Sequence, residues 1–252
     1  MMSDSAAAKP FDTSKTFLII PCYNEEECIV STLKDVRNNL PDVRIVVVND
    51  GSTDHTLQCL EAQNDPLLTV LDLPCNSGIG TAVKAGLLYA KRNGAEYAVK
   101  FDADGQHLAE EISLLLAPVM DGKADVAIGS RFVGDHKGFK STFFRRIGIR
   151  FFTFWSYLLV RQAITDSTSG FRAYGREALV FSARYYPAFD YPEPEECIQL
   201  IRNGFRVSEV ACKMAVRQGG ISSIHPLKSL YYMIKVAFSM CMEAIRPVKR
   251  RS

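Results

Sequence analysis

The sequence lacks the features that mark secreted, membrane-spanning and fibrous proteins. Its seven cysteines are scattered and include no Cys-x-x-Cys pair, which argues against a disulfide framework and a zinc knuckle. No apolar run reaches the roughly 18 residues of a membrane-spanning helix. The polar N-terminus, with Asp4 and Asp12, does not resemble a signal peptide, and we find no internal repeat. We therefore expect a cytoplasmic protein with reduced thiols.

The composition is that of an ordinary globular protein. Hydrophobic residues make up 47% of the 252 residues and charged residues 23%, so we expect a sizeable core. The 30 basic and 28 acidic residues give a formal net charge of +2, which excludes a polycationic nucleic-acid wrapper. Because no nucleic-acid motif accompanies the basic residues, we predict no nucleic-acid partner.

Short apolar strands alternate with helical patterns between residues 16 and 131. Continuous apolar strands between amphipathic helices are typical of β-α-β units, so we predict an α/β fold with a mostly parallel central sheet. The predicted strands are 16–21, 44–48, 68–73, 97–101 and 125–129, and the predicted helices are 25–39, 54–63, 81–92 and 109–119. Later in the chain we predict a loop leading into a strand over 166–174, helices over 192–203 and 227–245, and a strand over 205–214.

Polar residues follow four of these strands and should gather at one edge of the sheet. Ligands of such sheets bind beyond the carboxyl ends of the strands. Asp102 and Asp104 come directly after one strand, and paired carboxylates of this kind suit Mg²⁺ or Mn²⁺ that also holds a diphosphate. A strand-terminating turn with solvated acids is the alternative. His107 by itself is more typical of a helix start than of a metal ligand.

The segment Gly78-Ile79-Gly80-Thr81-Ala82-Val83 lacks the third glycine of a dinucleotide-binding fingerprint. It also follows the third predicted strand, whereas that fingerprint follows the first strand of its fold. We therefore interpret it as a tight turn that can bring backbone close to a ligand.

Seven short motifs occur in one order along the chain: 20–26 (IPCYNEE), 48–54 (VNDGSTD), 76–80 (NSGIG), 102–107 (DADGQH), 129–131 (GSR), 166–172 (DSTSGFR) and 217–223 (RQGGISS). Together they resemble the family 2 glycosyltransferases, and most closely the dolichyl-phosphate mannosyltransferase-like branch. The resemblance implies a GT-A fold, a nucleotide-sugar donor (UDP-, GDP- or dTDP-linked), a divalent cation and inverting transfer of a hexose to a polyprenyl phosphate. The motifs place a GT-A domain over 16–223. From the composition we predict a flexible N-terminus over 1–15, and an amphipathic helix with a basic tail over 224–252.

The resemblance also assigns roles to individual residues. The catalytic set is Asp104, Arg131 and Arg217, of which the two arginines would face the phosphates; the metal ligands are Asp102, Asp104 and Gln106; the donor-binding set is Pro21, Tyr23, Glu25, Asp50, Gly80, Asp102 and Ser222. Within that set, Asp50 would accept a hydrogen bond from the base, and Ser222 would lie in a loop that closes over the donor. Two positions depart from the family pattern: Asn49 replaces an aspartate, and Ile79 replaces a lysine.

The acceptor decides whether a general base is needed. A lipid phosphate has a second pKa near 6, so it is already nucleophilic at neutral pH and needs only positioning. A sugar hydroxyl would need a general base, and the candidates are Asp104 and one of the acids Glu193, Glu195 and Glu196. The alternative interpretation of those three glutamates is that they form the solvated start of a helix. Two alternative functions stay open. One is a glycosyltransferase that acts on a polysaccharide, glycolipid or protein-linked glycan, and the other is an inactive scaffold protein that binds nucleotide-sugars.

Two segments are basic and contain no acid. Residues 136–165 carry six basic residues among aromatic ones, and the tail from Arg246 carries four more, which leaves 20 basic against 28 acidic residues elsewhere. Such segments are typical of helices at an anionic membrane surface, although ordinary core helices are the alternative. We expect peripheral association with the cytoplasmic face of a membrane, with a small membrane anchor protein as a further partner.

Overall fold

The structure is a computed structural model that describes residues 13–133, 143–187, 192–215 and 226–249. Over these ranges, no helix combines the length and the hydropathy needed to cross a membrane. All seven cysteines lie in the described ranges as free thiols. The predictions for residues 1–12, for 136–142 and for the motif 217–223, including Arg217 and Ser222, lie outside the described residues.

One sheet of seven strands forms the centre of the described part of the chain, in the order β3-β2-β1-β4-β6-β5-β7. The strands are β1 (Thr16–Cys22), β2 (Arg44–Asn49), β3 (Leu68–Asp72), β4 (Tyr97–Lys100), β5 (Val126–Ser130), β6 (Arg172–Gly175) and β7 (Val207–Ala211). Strand β6 runs antiparallel to β4 and β5, whereas the other neighbouring pairs are parallel. The predicted α/β fold with a mostly parallel sheet is therefore confirmed.

Helices cover both faces of the sheet. They are α1 (Ile29–Asn39), α2 (Thr56–Glu61), α3 (Ile79–Arg92), α4 (Ile112–Met120, preceded by a 3-10 turn over Ala109–Glu111), α5 (Phe143–Val160), α6 (Arg176–Tyr185), α7 (Pro192–Arg202) and α8 (Pro226–Ile245). Alternate residues of β1 point to opposite faces. Ile19 therefore packs with residues of α3 and α6, whereas Ile20 packs with residues of α1 and α4.

The observed elements differ in places from those predicted. The helix predicted from Glu25 begins at Ile29, because residues 25–28 form a turn in which the N–H of Glu25 donates to the hydroxyl of Thr56. Helix α6 was not predicted; its buried residues, which include Leu179 and Phe181, pack onto the sheet. Strand β7 is shorter than predicted, since it covers only Val207–Ala211 of the range 205–214.

The sequence left open whether the basic aromatic segments are core helices or helices at a membrane surface. Helices α5 and α8 have one side of each kind. One side of the pair is core: Phe152 and Met240 are buried, and the indole N–H of Trp155 donates to the carbonyl of Ala237. The other side is apolar and exposed; its exposed large residues are Phe151, Phe154, Tyr157, Leu158, Ile234, Phe238, Met242 and Ile245. We call these eight residues the exposed apolar face.

The interpretation of the α7 acids as a solvated helix start is wrong. Glu193, Glu195 and Glu196 are all buried. Glu196 pairs with Arg172 at 2.7 Å, and Glu193 pairs with Lys100. Glu195 contacts Ser239 and Arg246 at the side of α8. The local sequence pattern does not reveal any of these partners.

Part of the basic tail is also paired within the protein. Arg246 and Lys249 both contact the buried carboxylate of Glu243, at 2.8 and 3.3 Å. The N–H of Lys249 donates to the side chain of Asn203. The Lys249 ammonium also lies over the Tyr185 ring of α6, 5.1 Å from its centroid. These two cations therefore fix the end of α8 against α7 and α6, and the predicted membrane role of the tail falls on Arg250 and Arg251, outside the described residues.

Candidate active site

The carboxyl ends of β1, β2, β3 and β4 lie side by side at one edge of the sheet. Cys22 at the end of β1 pairs in register with Asn49, and Asn49 pairs with Asp72 at the end of β3. The loops that follow these strands therefore meet, as the sequence predicted. Burial raises the pKa of the Cys22 thiol to about 12, so this cysteine contributes packing and no nucleophile.

The loop after β1 is tied to the loop after β2. Asn24 adopts a left-handed conformation with φ 54°, its N–H donates to Ser52 Oγ, and its side-chain oxygen accepts from the N–H of Thr53. These bonds fix the chain so that the Tyr23 side chain is turned outward, with 43% of its surface exposed. Glu25 is partly exposed beside it. An exposed aromatic ring beside a carboxylate is a surface on which a nucleoside can stack.

Asp50 anchors the glycine turn. Its two carboxylate oxygens accept hydrogen bonds from the N–H groups of Ser77 and Gly78, at 2.8 and 2.9 Å. The side chain is only 3% exposed. Each carboxylate oxygen has a second lone pair, so the predicted bond to a base remains a prediction, but the structure adds a role in holding the turn.

The glycines of these two loops allow close packing. A Cβ on Gly51, where φ is +64°, would lie 2.5 Å from the backbone of Cys75. Gly78 precedes α3 with φ 87°, and Gly80 is buried in the first turn of that helix, while Ile79 is exposed. The turn therefore presents backbone to the sheet edge and an apolar side chain where the family pattern has a lysine.

The structure explains the asparagine at position 49. Its amide N–H donates to the carboxylate of Asp72 at 2.7 Å, and its oxygen accepts from the hydroxyl of Ser52 at 2.5 Å. An aspartate at this position would place two carboxylates against each other. Asn49 is therefore a structural link between the ends of β2 and β3, and it need not contact the donor.

The loop after β4 carries the paired acids. Asp104 accepts hydrogen bonds from the backbone N–H and the side-chain amide of Gln106, at 3.0 and 2.5 Å. Asp102 lies two residues earlier, and 31% of its side chain is exposed. The two carboxylates therefore lie in one turn at the sheet edge, where a ligand can reach them.

His107 is buried at the base of this loop, where the sequence suggested a helix start. The backbone N–H of Asp102 donates to Nδ1 of His107 at 2.9 Å, and the ring stacks on Phe171 with centroids 4.7 Å apart. Burial lowers the pKa of His107 below its usual value, although the carboxylates of Asp102 and Asp104 oppose this effect. Because Nδ1 accepts, the neutral ring carries its proton on Nε2.

The donor set of this loop suits a hard divalent cation. Mg²⁺ and Mn²⁺ sites commonly use one or two carboxylates and complete their coordination with water and substrate phosphates. Among the described residues, no group of three or more His, Cys, Asp or Glu side chains is arranged to hold a metal alone. Asp102 and Asp104 would therefore hold the ion together with a diphosphate, and Gln106, whose amide group binds Asp104, would support them through its side-chain oxygen.

Arg131 lies at the end of β5 and is held by Asp166. Its Nε and Nη2 donate to the two carboxylate oxygens at 2.8 and 2.7 Å, and its backbone N–H donates to the same carboxylate. Asp166 is itself buried. Bidentate pairs of this kind are geometrically rigid, so Arg131 is a fixed group of the site and partly neutralised.

A second ion pair lies beneath the site. Arg172 of β6 is fully buried; it donates to Glu196 of α7 and to the carbonyls of Ser167 and Ser169, which belong to the loop after α5. Glu196 also accepts hydrogen bonds from Tyr174 and Ser182. This network joins α7 and α6 to the sheet. The acids that could have served as a general base are therefore already engaged in the interior.

The far side of the Asp102–His107 loop contacts the segment after β7. His107 forms an isolated antiparallel bridge with Met214, and the N–H of Ala215 donates to the carbonyl of Gln106 at 2.9 Å. The chain therefore leaves the described part of the structure beside the paired acids. Arg217 follows two residues later, outside the described residues, so its predicted role stays a prediction.

Comparison with known proteins gives consistent results. Residues 17–181 match the profile of glycosyl transferase family 2. The chain is 35% identical to a polyprenol monophosphomannose synthase of Mycolicibacterium smegmatis, over 93% of this chain and 89% of that protein. It is 30% identical to a UDP-N-acetylglucosamine–dolichyl-phosphate N-acetylglucosaminyltransferase of Methanococcus voltae, over 78% of this chain and 84% of that protein.

The fold is also shared with a solved structure. Glucosyl-3-phosphoglycerate synthase of Mycobacterium tuberculosis, crystallised with Mn²⁺, UDP and phosphoglyceric acid, superposes with a TM-score of 0.68. The two sequences are 19% identical, and the match covers 92% of this chain and 79% of that one. At this identity the likeness establishes the fold alone.

Proposed function

The chain belongs to glycosyl transferase family 2 and is a glycosyltransferase, and we propose that it transfers a hexose from a nucleotide-sugar to a polyprenyl phosphate at the cytoplasmic face of a membrane. We further propose that the reaction inverts the anomeric centre and depends on Mg²⁺ or Mn²⁺. The observation that carries the choice of acceptor is an apolar groove beside the ion pair of Arg131 and Asp166.

The groove has a volume of about 430 Å³ and is open to solvent. Its lining comes from α5 and from the two chain segments that flank the ion pair: Phe132, Ile149, Arg150, Thr153, Phe154, Tyr157, Ala163 and Thr165. Phe132 follows Arg131 directly, and Thr165 precedes Asp166. A lipid phosphate with its head at the sheet edge would therefore find an apolar surface for its first isoprene units.

The groove continues into the exposed apolar face of α5 and α8. Phe154 and Tyr157 belong to both, and Phe154 is 62% exposed. Arg150, Arg161 and Lys235 are exposed on the same two helices or at their ends. Apolar side chains with cations at the border favour insertion into the interface of a membrane with anionic lipids. A polyprenyl phosphate in such a membrane could reach the groove without leaving the lipid.

The donor would bind at the other side of the edge. Tyr23 offers a ring for the base, and the loop held by Asp50 borders the sugar–phosphate region. Several relatives are named for polyprenyl-phosphate sugar transfer, and the compared crystal structure contains Mn²⁺ and UDP. On this basis Asp102 and Asp104 would hold the cation, whose chemistry is to neutralise charge on the diphosphate.

The transfer then needs positioning more than proton transfer. An oxygen of the acceptor phosphate attacks the anomeric carbon opposite the diphosphate, the bond from that carbon to the diphosphate oxygen breaks, and the nucleoside diphosphate leaves with the electron pair. A dianionic phosphate requires no base. This suits the structure, in which Glu193, Glu195 and Glu196 are buried and paired. Asp104 is then the remaining candidate for the general base that a hydroxyl acceptor would need.

The direct test is product formation. Radiolabelled GDP-mannose, UDP-glucose and UDP-N-acetylglucosamine are each incubated with Mn²⁺ and undecaprenyl or dolichyl phosphate in detergent, and labelled lipid is measured after organic extraction. We expect one donor to yield labelled lipid, and a prior thermal-shift screen should identify it, because a ligand of the native state raises stability. Transfer to a sugar hydroxyl without any labelled lipid would overturn the proposal.

A substitution in the groove tests whether the acceptor binds there. Ala163→Trp should fill it and raise the KM for polyprenyl phosphate, while the KM for the nucleotide-sugar stays within about 2-fold of wild type, since the donor side is untouched. Ala163→Ser is the matched control, because it adds only one oxygen at the same exposed position. An unchanged KM for polyprenyl phosphate in the tryptophan variant would show that the lipid does not bind in the groove. It would then bind another surface of this chain or a small membrane anchor protein.

A further inference from the structure

Asp102 is contacted through two of its groups by one imidazole ring. Its backbone N–H donates to Nδ1 of His107 at 2.9 Å, and Nε2 of the same ring lies 3.5 Å from Oδ2 of its carboxylate. The second contact is longer than a hydrogen bond. With Nδ1 accepting, Nε2 carries the proton of the neutral ring, so the protonated nitrogen lies near a partly exposed carboxylate.

The ring itself cannot turn freely. Phe171 stacks on one face with an interplanar angle of 22°, and Phe101 approaches at 71° with centroids 5.5 Å apart. His107 is only 6% exposed. Because Phe101 directly precedes Asp102 in the chain, the clamp on the ring is built from the same strand end that carries the carboxylate.

Gly170 limits the carboxylate on another side. A Cβ at this position would lie 2.7 Å from Oδ2 of Asp102 and 3.2 Å from Nζ of Lys100. Lys100 is fully buried and paired with Glu193. The carboxylate of Asp102 thus has the imidazole on one side and Gly170 on another, and the Lys100 ammonium also lies close to Gly170.

We propose that His107 is a positioning residue that fixes the Asp102 carboxylate in the orientation in which it meets the divalent cation and the donor diphosphate. This inference rests on the cation site of the proposed function, and it is independent of the acceptor. Groups that hold metal ligands from behind commonly change metal affinity by about 10–100-fold when they are lost, although they never touch the metal.

The test measures Mn²⁺ binding directly, apart from turnover. Free Mn²⁺ is followed by its paramagnetic resonance signal during titration of the protein in the presence of UDP or GDP, whichever stabilises the wild type. His107→Phe keeps an aromatic ring between Phe101 and Phe171 and removes both nitrogens. We expect its Mn²⁺ dissociation constant to rise about 10-fold or more, with kcat largely recovered at saturating Mn²⁺ and the activation constant for Mn²⁺ raised in parallel.

Rescue by a polar variant separates positioning from packing. His107→Asn retains an acceptor for the N–H of Asp102 but leaves the ring volume unfilled, so we expect it to bind Mn²⁺ more tightly than His107→Phe. Leu179→Ala, at a buried position of α6 remote from the loop, controls for a general loss of stability. Unchanged Mn²⁺ affinity in His107→Phe, or an equal weakening in Leu179→Ala, would overturn the proposal.

A second variant tests the same carboxylate without altering His107. Gly170→Ala should displace the flexible end of Asp102 and weaken Mn²⁺ binding, whereas Gly148→Ala, where a Cβ meets only one atom at 3.9 Å, should not. If His107→Phe failed to fold, wild-type Mn²⁺ affinity in Gly170→Ala would still refute a role for the fixed orientation. The two proposals can also fail separately. If the wild-type protein made no lipid-linked product but His107→Phe still bound Mn²⁺ more weakly, the role of His107 would be supported and the acceptor assignment would be refuted.

Discussion

The two halves of the molecule place acids and apolar side chains in opposite ways. At the carboxyl ends of β1 to β4, Asp102 and Asp104 are partly exposed, and most apolar residues of β1, β2 and β4 are buried. Around α5, α7 and α8, the carboxylate of Glu196 is fully buried, and Phe154 and Phe238 are 62% and 66% exposed. The exposed acids of the first half follow the usual distribution of a globular protein, and the buried acids and exposed aromatic rings of the second half reverse it.

The reversal separates two uses of the same residue types. An acid that keeps contact with water needs no partner in the fold and stays available for a ligand, whereas a buried acid must be paired, and so it fixes the elements that supply its partners. Exposed aromatic residues likewise leave apolar surface to be covered by something outside the chain. Under the proposed function, the first half is the edge that binds the donor, and the second half is a rigid platform with an apolar outer surface.

The largest effect should come from unpairing a buried acid. Glu196→Gln leaves the guanidinium of Arg172 buried without its charge partner, and we expect a loss of about 3–5 kcal/mol in the free energy of unfolding. Urea unfolding followed by circular dichroism measures it. Glu61→Gln, at an exposed position of α2, should change stability by less than about 0.5 kcal/mol. Equal stability of the two variants would show that the buried, paired acid contributes no more to folding than an exposed acid does.

An acid of the exposed edge should behave in the opposite manner. Asp104→Ala should lower kcat/KM by about 100-fold or more, because a carboxylate at the diphosphate is lost, and it should cost about 1 kcal/mol or less in stability. Asp121→Ala, an exposed acid at the end of α4 paired with Lys123, is the control. Turnover at the wild-type rate in Asp104→Ala would show that the paired acids do not form the cation site.

The exposed apolar face should matter for membranes and not for folding. We expect Phe154→Ser and Phe238→Ser each to weaken binding to vesicles containing anionic lipid by about 10-fold, since burying one phenyl ring contributes roughly 1.5–3 kcal/mol. Sedimentation with vesicles gives the partition coefficient. Leu114→Ser, at a half-exposed position of α4, should leave partitioning unchanged. Equal partitioning of all three variants would mean that another surface faces the lipid.

The smallest effect concerns Asn49 at the donor edge. Asn49→Asp replaces an amide that donates to Asp72 by a second carboxylate, and we expect a loss of up to about 1 kcal/mol at pH 7. Repulsion raises the folded-state pKa of the carboxylate pair, so the deficit should shrink as pH falls and one group takes a proton. Thermal unfolding at pH 7 and pH 4.5 measures it. A deficit that grew at low pH would contradict the contact.

Much of the donor edge could be predicted from the sequence. Continuous apolar runs specify buried parallel strands, and parallel strands bring the residues after them to one edge, so Tyr23, Asp50, Asp102 and Asp104 could be grouped without coordinates. The family resemblance was equally accessible, because its motifs are short and local. Helix α6 was not predicted, although its segment carries buried apolar residues such as Leu179 and Phe181.

Partners across the chain could not be predicted in the same way. Nothing in the local sequence indicates that His107 lies under Asp102 with Phe171 against its ring, or that Asn49 bonds Asp72. The segment with Glu193 and Glu196 resembles a solvated helix start in sequence, yet the fold places those acids against Lys100 and Arg172 of the sheet.

The sequence by itself determined the alternating strands and helices of the first half, the polar edge and the family, since each depends on a pattern within a few residues. Only the tertiary structure decided which side of α5 is covered, which acids are buried and how the Asp102 carboxylate is oriented. The physical reason is that burial and pairing depend on side chains far apart in the chain. Glu196 and Arg172 are 24 residues apart, and His107 and Phe171 are further apart still.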